Sequence, residues 1–533
     1  MSQHPEWLNS IYDPGIYSHP VSEIKLIQTH ISWVILTGDW AYKLKKPVNF
    51  GFVDFSTLER RHAACLEEVR LNRRTAPSLY DGVVTLVDGI DGTQFGDTGP
   101  TLEYAVRMRQ FAQSDLFEQR LARNELSADV IESLARAMAE LHEQAAIASP
   151  DSPFGMPDLI RSTVQACLDE LEKASFPEGL RTLLTHLNVW VIAEWRRLNS
   201  SFLSRKQQGW IRECHGDLHL GNIVLYRGKP TLFDCLEFNS NLRWIDVMSD
   251  VAFLLMDLHD KGASRLARLA LNDWLERSGD YQGLFVLRYY LAYRALVRAK
   301  VASIRLRQSD LSLEEQKQQE DLRQSYVELA TNLTRPGRPA IVLMHGVSGS
   351  GKSFIARKLV AELGAVQIRS DVERKRLMGA WPTIASTTPT ESEMYSTETT
   401  RQTYLRLQTL ARTVVTSGNS VVVDATFLKQ ADRLAFASLA RNLGVPFVIA
   451  ACHAPEVVMQ ERVSQRQQIG HDASDADVAI LQQQLATAEP LTSHELGSTI
   501  ELDTNTSDLD AIVTSLRNRL IWKDQSTLKN EFS

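Results

Sequence analysis

The run Gly346-Val347-Ser348-Gly349-Ser350-Gly351-Lys352-Ser353 constrains this chain more than any other stretch. An apolar segment with strand character, 340–344, leads into it. Residues 354–363, with apolar positions at helical spacing, lead out of it. A strand that stops, turns through three glycines and restarts as a helix leaves backbone N–H groups aimed at one point, where the helix N-terminus also favours negative charge. In this context the pattern is a phosphate-binding loop for a nucleotide. Gly346, Ser348, Gly349, Ser350 and Gly351 form the cradle. Lys352 reaches the β/γ-phosphates, and the Ser353 hydroxyl ligates Mg²⁺. Further strands are expected at 366–369, 421–426, 447–451 and 499–502, with helices between them. That alternation predicts an α/β domain with a doubly wound parallel sheet and a site at the strand carboxyl ends. Two acids fall at such ends, Asp371 and Asp424. Arg462 and Arg466 lie four apart on one helix face, either as lid residues or as a surface ion-pair helix. Ser474-Asp475-Ala476-Asp477 reads as the cap of the next helix.

Upstream, Arg335-Pro336-Gly337-Arg338-Pro339 cannot continue a helix and reads as a linker. It divides the chain into domains at 1–334 and 340–533. The larger part is organised around His215-Gly216-Asp217-Leu218-His219-Leu220-Gly221-Asn222. A strand at 223–225, a turn at Arg227-Gly228-Lys229-Pro230 and Thr231-Leu232-Phe233-Asp234 follow. Asp217 and Asn222 therefore share a loop, and Asp234 ends the next hairpin. This layout resembles that of protein kinases, in which one Asp takes the proton of the acceptor hydroxyl, an Asn five residues on holds Mg²⁺ and a later Asp after a strand also holds Mg²⁺.

Ahead of this loop, 24–29, 31–36 and 40–45 alternate as strands do. Period-two geometry puts Ala41, Lys43 and Lys45 on one face of the third strand. Lys43, with Lys45 and Lys46 as rivals, is the candidate for gripping nucleotide phosphates. Ser56-Thr57-Leu58-Glu59 reads as a capping box opening a helix to about Arg73. Glu68 borders that helix's apolar face, either as the partner of Lys43 or as a solvated glutamate. Residues 83–87 and 102–108 are two further strands, and Arg109-Gln110-Phe111 a hinge where an adenine ring could rest. Asp246 and Asp250 are read as braces for the Asp217 loop, and His142 as a packed helix residue.

The first part resembles the aminoglycoside phosphotransferase branch of the kinase fold. The resemblance rests on H-G-D-x-H-x-x-N at 215–222, Asp234 and Ala41-Tyr42-Lys43. The second part is similar to small P-loop kinases: gluconate kinase, polynucleotide 5′-hydroxyl kinase and zeta-toxin-like enzymes. The whole resembles fused proteins carrying both halves. This implies an α+β two-lobed kinase-like domain followed by the α/β P-loop domain. It implies ATP and Mg²⁺ as cofactors and a small-molecule hydroxyl as acceptor at each site. Asp217 and Asp371 would accept the hydroxyl proton. Lys43 and Glu68 would form the strand–helix ion pair, Asn222 and Asp234 would hold one Mg²⁺, and Asp424 would hold another through water or touch the acceptor. Arg462 and Arg466 would stabilise charge on the transferred group. Two other readings remain open: the P-loop half as a nucleotide-dependent switch on the first half, or a nucleic-acid end kinase or toxin-like module.

Composition narrows these. The net charge of −7 over 533 residues gives no global basic field and disfavours nucleic acid. The scattered, odd-numbered cysteines (five, with no C-x-x-C) suit a reducing cytosol rather than a disulfide or zinc framework. No apolar run is long enough to span a bilayer, and the N-terminus lacks a signal-peptide pattern, so a cytoplasmic location without membrane partners is expected. The segment 281–308 carries six basic residues and no acid. It reads as a solvated face, a docking surface for contact between the two halves, or the wall of a pocket for an anionic acceptor.

Overall fold

The alternating segment near the N-terminus forms β1 (Lys25–Gln28), β2 (Ser32–Leu36) and β3 (Trp40–Lys45). In the computed structural model, which describes residues 5–51, 53–90, 92–174, 176–307, 311–380, 396–469, 477–505 and 509–528, these strands join β4 (Tyr80–Gly89), β5 (Gly92–Phe95) and β6 (Thr101–Arg109). The antiparallel order is β1-β2-β3-β6-β4-β5, so β3 is an interior strand. One face packs on an aromatic-rich cluster that includes Trp7, Tyr17, Trp33 and Tyr42. The other packs on Cys65 and Val69 of the helix Leu58–Asn72. That helix begins one residue later than the expected box: Thr57 is the cap and accepts from Arg60 N, because the Ser56 hydroxyl is spent on Asp54. The strand Gly92–Phe95 escaped the sequence reading; with two glycines flanking it, it shows little alternation.

Beyond β6 the chain becomes helical, with Ala128–Gln144, Pro157–Glu172 and Glu178–Gln207 ahead of β7 (Ile211–Glu213). The hairpin of β8 (Ile223–Tyr226) and β9 (Lys229–Leu232) follows, turning at Arg227 and Gly228, both at positive φ. A short strand β10 (Trp244–Asp246) pairs with β7. The helix Val247–Asp260 then starts on an Asp246 cap.

The second sheet is β11 (Ile341–His345), β12 (Val366–Arg369), β13 (Val421–Asp424), β14 (Phe447–His453) and β15 (Thr499–Asp503). Its strands are parallel in the order β12-β13-β11-β14-β15, so the chain reverses direction across the sheet at β11. The near-continuous apolar runs of β11 and β13, Ile341–Met344 and Val421–Val423, are what burial on both faces demands.

By contacts the chain resolves into two compact units. One comprises Met1–Lys261 and Tyr289–Thr331; the other comprises Gly262–Arg288 and Asn332–Ser533. The second unit thus takes in the helix Ser264–Ser278, which precedes the Pro336–Pro339 linker by many residues. Asn272 on that helix accepts from the Gln367 backbone N–H of edge strand β12 at 2.8 Å, and Asp273 pairs with Arg357 at 2.7 Å. An exposed strand edge is thereby covered. Among the described residues, no helix is long and apolar enough to cross a membrane.

Candidate active sites

The first site is built on β3. Lys43 and Lys45, two apart, share the face toward the helix Leu58–Asn72, where Glu68 is fully buried. Glu68 lies between them: Lys43 Nζ is 3.0 Å from Oε1 and Lys45 Nζ is 2.5 Å from Oε2. The lysines diverge at their other partners. Lys43 touches Asp234, whereas Lys45 touches Glu237 and is sealed from solvent. Burial alone would raise the Glu68 carboxyl, but the two ammonium groups outweigh it and bring it down to about 2. Burial opposes the charge on Lys43 as well, yet Asp234 and Glu68 hold its pKa well above the usual lysine range. Lys46 is half-buried; its ammonium reaches Gln28 and lies over the Trp33 ring.

The loop carrying Asp217 is held from several directions. Asp250 accepts from the backbone N–H of His215 and of Gly216, each at 2.9 Å, and meets His142 at 3.3 Å. Asp257 accepts from Leu220 N at 2.9 Å, and Arg294 donates to Gly216 O at 3.1 Å. Gly216 has φ +87°, and a Cβ there would lie 2.9 Å from Leu242 O, so only glycine fits. Asp246, read as a second brace, instead caps its helix and binds Arg205 at 2.6 Å. Asn222 Nδ2 donates to Asp217 O at 2.9 Å and to its Oδ2 at 3.1 Å, while His219 stands 3.5 Å from the same oxygen. Burial works to raise the Asp217 carboxyl, but His219 and His215 overcome it and hold it well below the usual carboxylate range. Asp234 sits at φ +61°, a conformation asparagine and aspartate tolerate better than most residues.

Lys43, Asp217, Asn222 and Asp234 line one cavity of about 850 Å³, together with Gly38-side strand residues and the segment Arg109–Phe111. Glu68 is behind Lys43 rather than in the lining. The hinge is anchored by Gly38 N donating to Gln110 Oε1 at 3.0 Å, and Phe111 packs edge-on against Phe233. Counting side chains, the two lysines face three carboxylates (Glu68, Asp234, Glu237), and Asp234 is the most exposed of them. A surplus carboxylate and an amide at the cavity wall are the hard oxygen donors that Mg²⁺ prefers. Glu237 was missed as a participant. The signal for Glu237 was a second lysine on the buried strand face, which requires its own counter-charge.

The second site surrounds the glycine-rich loop. Gly346, Gly349 and Gly351 all have positive φ, and a Cβ on Gly346 would lie 2.4 Å from Cys452 O. Lys352 donates to Val347 O at 2.8 Å, folding over the loop. Its burial lowers its pKa, with Asp424 opposing. Asp424, ending β13, accepts from Gln367 Nε2 at 2.9 Å. Asp371, in the first turn of Ser370–Leu377, meets Arg374 at 3.2 Å. Ser348, Gly349, Gly351, Lys352, Ser353, Asp371, Asp424, Arg462 and Arg466 all line a cavity of about 340 Å³, whereas Gly346 and the fully buried Ser350 do not. Arg462 bonds Gly349 O at 3.2 Å and Thr504 Oγ1 at 2.9 Å, so it also braces the loop. With Arg369 and Arg374, five cationic side chains face two aspartates in this lining, a field suited to polyphosphate. Ser353 and Asp424 supply hard oxygens for a divalent cation. Asp477 caps Val478–Thr487 as expected; Ser474, Asp475 and Ala476 lie outside the described residues.

Two family models match. The Phosphotransferase enzyme family matches residues 112–290, and an AAA domain matches residues 341–491. Over 469 residues the chain is 30% identical to the uncharacterized protein Rv2004c of Mycobacterium tuberculosis, covering 87% of this chain and 90% of that one. The chain belongs to this family. The uncharacterized protein Mb2027c of Mycobacterium bovis matches with the same identity and coverage. Among solved structures, a choline/ethanolamine kinase family protein from Mesorhizobium loti aligns with TM-score 0.34 and 11% identity, over 58% of this chain and 93% of that one. A gluconokinase from Sinorhizobium meliloti 1021 aligns with TM-score 0.25 and 23% identity, over 37% of this chain and all (100%) of that one. The chain thus carries a kinase-like phosphotransferase fold in its N-terminal half and a P-loop kinase fold with a five-stranded parallel sheet in its C-terminal half.

Proposed function

We propose that the chain is an ATP-dependent phosphotransferase with a kinase site in each half, each acting on a hydroxyl of a small molecule. The observation that carries this reading is the convergence of Lys43, Asp217, Asn222 and Asp234 on one cavity, from segments far apart in sequence. In the N-terminal site Lys43, locked by Glu68, grips nucleotide phosphates. Asp217, kept ionised, receives the proton of the acceptor hydroxyl. The hydroxyl oxygen bonds the γ-phosphorus as the bond to the β,γ-bridging oxygen breaks, and that electron pair leaves on ADP. Asn222 and Asp234 would hold Mg²⁺, which when bound neutralises phosphate charge. In the C-terminal site the loop N–H groups and Lys352 bind phosphates, Asp371 orients or deprotonates the acceptor, and Arg466 offsets charge on the transferred group. Ser353 and Asp424 would hold its cation.

The direct test is phosphate transfer from ATP labelled at the γ-position by the full chain, screened against a metabolite library. Labelled products that vanish with Asp217→Asn or with Lys352→Ala support the reading. ATP hydrolysis without any labelled acceptor, or transfer insensitive to both changes, would count against it. Loss of the N-terminal reaction on Lys352→Ala, with no acceptor for the second site, would favour the switch reading instead.

A further inference from the structure

The helical wall of the N-terminal cavity differs in charge from its strand wall. The helix Leu284–Arg305 brings Tyr293, Arg294, Val297 and Lys300 to the lining, and the helix Pro157–Glu172 brings Leu159 and Cys167. Neither helix contributes a carboxylate there. The acids that do line the cavity are engaged: Asp234 by Lys43, Glu237 by Lys45, and Asp217 by Asn222 with His219 alongside. Arg294 is only 3% exposed. Its Nε donates to Ser249 O at 3.0 Å and its Nη1 to Gly216 O, one residue before Asp217. Its Nη2 is buried with no hydrogen-bond partner among the described residues. The guanidinium lies 4.7 Å from the Phe253 ring and 5.2 Å from the Tyr293 ring, so aromatic faces carry part of its charge but take none of its in-plane donors. A buried guanidinium with a spare donor is costly unless an anion completes it.

On the reading that Asp217 serves a kinase site, we propose that its acceptor is anionic: a hydroxyl compound bearing a carboxylate or phosphate, held by Arg294 and Lys300. Its carbon skeleton packs on Leu159, Tyr293 and Val297. The anion is held at one end and the hydroxyl is presented to Asp217 at the other. The hydroxyl proton passes to Asp217 as the oxygen takes the γ-phosphoryl group and ADP leaves. An acceptor carrying a quaternary or primary ammonium would instead face Arg294 and Lys300, which repel it.

The test uses the unaltered full chain, and the part of the transfer that Asp217→Asn removes is read as that of the N-terminal site. Probes come in matched sets: pantothenate against panthenol; glycerate and glycerol 3-phosphate against glycerol; choline as the cation. Transfer of labelled phosphate and calorimetric binding to the nucleotide-loaded protein are both measured. The expected result is that an anionic member exceeds its neutral partner by at least ~10-fold in kcat/KM. Glycerate against glycerol 3-phosphate separates carboxylate from phosphate. Lys300→Met should bring the preference close to unity, chiefly through KM, and Lys300→Arg should retain it. Lys300 is the residue to change because Arg294 also holds Gly216 and Ser249. Equal or better use of panthenol, glycerol or choline would overturn the proposal. So would a preference untouched by Lys300→Met, or no binding and no turnover of any anionic probe. Undiminished transfer by Asp217→Asn would instead show that the N-terminal kinase reading itself is at fault.

Discussion

On the proposed function the two candidate sites solve one problem, holding a polyphosphate beside a hydroxyl, with opposite materials. In the N-terminal half the charge proposed to bind phosphate belongs to a side chain. Lys43 stands on a strand, and buried carboxylates hold it firmly ionised. In the C-terminal half the backbone makes the cradle, and burial draws Lys352 in the other direction. The first cavity combines few free charges with much apolar wall; the second presents five cations against two acids. A site made of backbone depends on glycine and contiguity, whereas a site made of side chains depends on buried ion pairs brought together from distant segments.

That contrast can be broken most forcefully at the proton acceptors and phosphate lysines. Asp217→Asn should cut N-terminal transfer by about 10²–10⁴-fold while nucleotide affinity, read by calorimetry, stays within about twofold. Lys352→Ala should cut C-terminal turnover by about 10²–10³-fold. An Asp217→Asn enzyme that also loses its nucleotide would show that the loop, not the proton acceptor, had been disturbed.

The strand lysines sharpen the comparison next. Lys45→Ala leaves Glu68 and Glu237 without their shared cation in a sealed site. It should destabilise the N-terminal unit by about 3–5 kcal/mol in urea unfolding. Lys43→Ala, at the cavity wall, should instead abolish N-terminal transfer with a smaller loss of stability. Lys46→Ala, outside the cavity lining, should change neither measurably. Equal effects of Lys43→Ala and Lys45→Ala on transfer would mean that the pair acts only as a diffuse charge.

This divide also explains what could be read from the sequence. The glycine-rich loop is contiguous, so its cradle, its lysine and its parallel sheet could be written down from eight residues and their flanks. The 215–222 loop was legible for the same reason. Lys43 needed a strand register, and Ala41, Lys43 and Lys45 on one face proved correct, but which lysine meets the cavity is decided by Asp234 and Glu237, nearly two hundred residues away. Arg294 sat in a basic segment that could be read as a solvated face, a docking surface or a pocket wall. The structure buries it, because Tyr293, Phe253 and the loop carbonyls replace water around it. The helix Ser264–Ser278 carries no mark in its sequence of belonging with the second compact unit. Its Asn272 and Asp273 find their partners only through tertiary contact.

A smaller effect concerns the second site's arginines. Arg462→Ala should weaken nucleotide binding by about tenfold, because Gly349 O and Thr504 lose their tether. Arg466→Ala should act on turnover more than on binding. The smallest effect is an expected absence. The carboxyl of Asp217 is held below the usual range, so its ionised form persists as pH falls. N-terminal transfer should show no loss attributable to it from about pH 8 to about pH 5. An acid limb centred near pH 6 that disappears in Asp217→Asn would reverse that sign.

Whether one chain carries two kinase sites is decided by crossed inactivation of the full-length protein. Phosphate transfer to each site's acceptor is measured for the unaltered chain, Asp217→Asn, Lys352→Ala and the double variant. Two sites require that Asp217→Asn removes only the N-terminal product, that Lys352→Ala removes only the C-terminal product, and that the double variant makes neither. If Lys352→Ala silences the N-terminal product while no product ever depends on Lys352 alone, the P-loop half is a switch and the claim of two kinases is wrong.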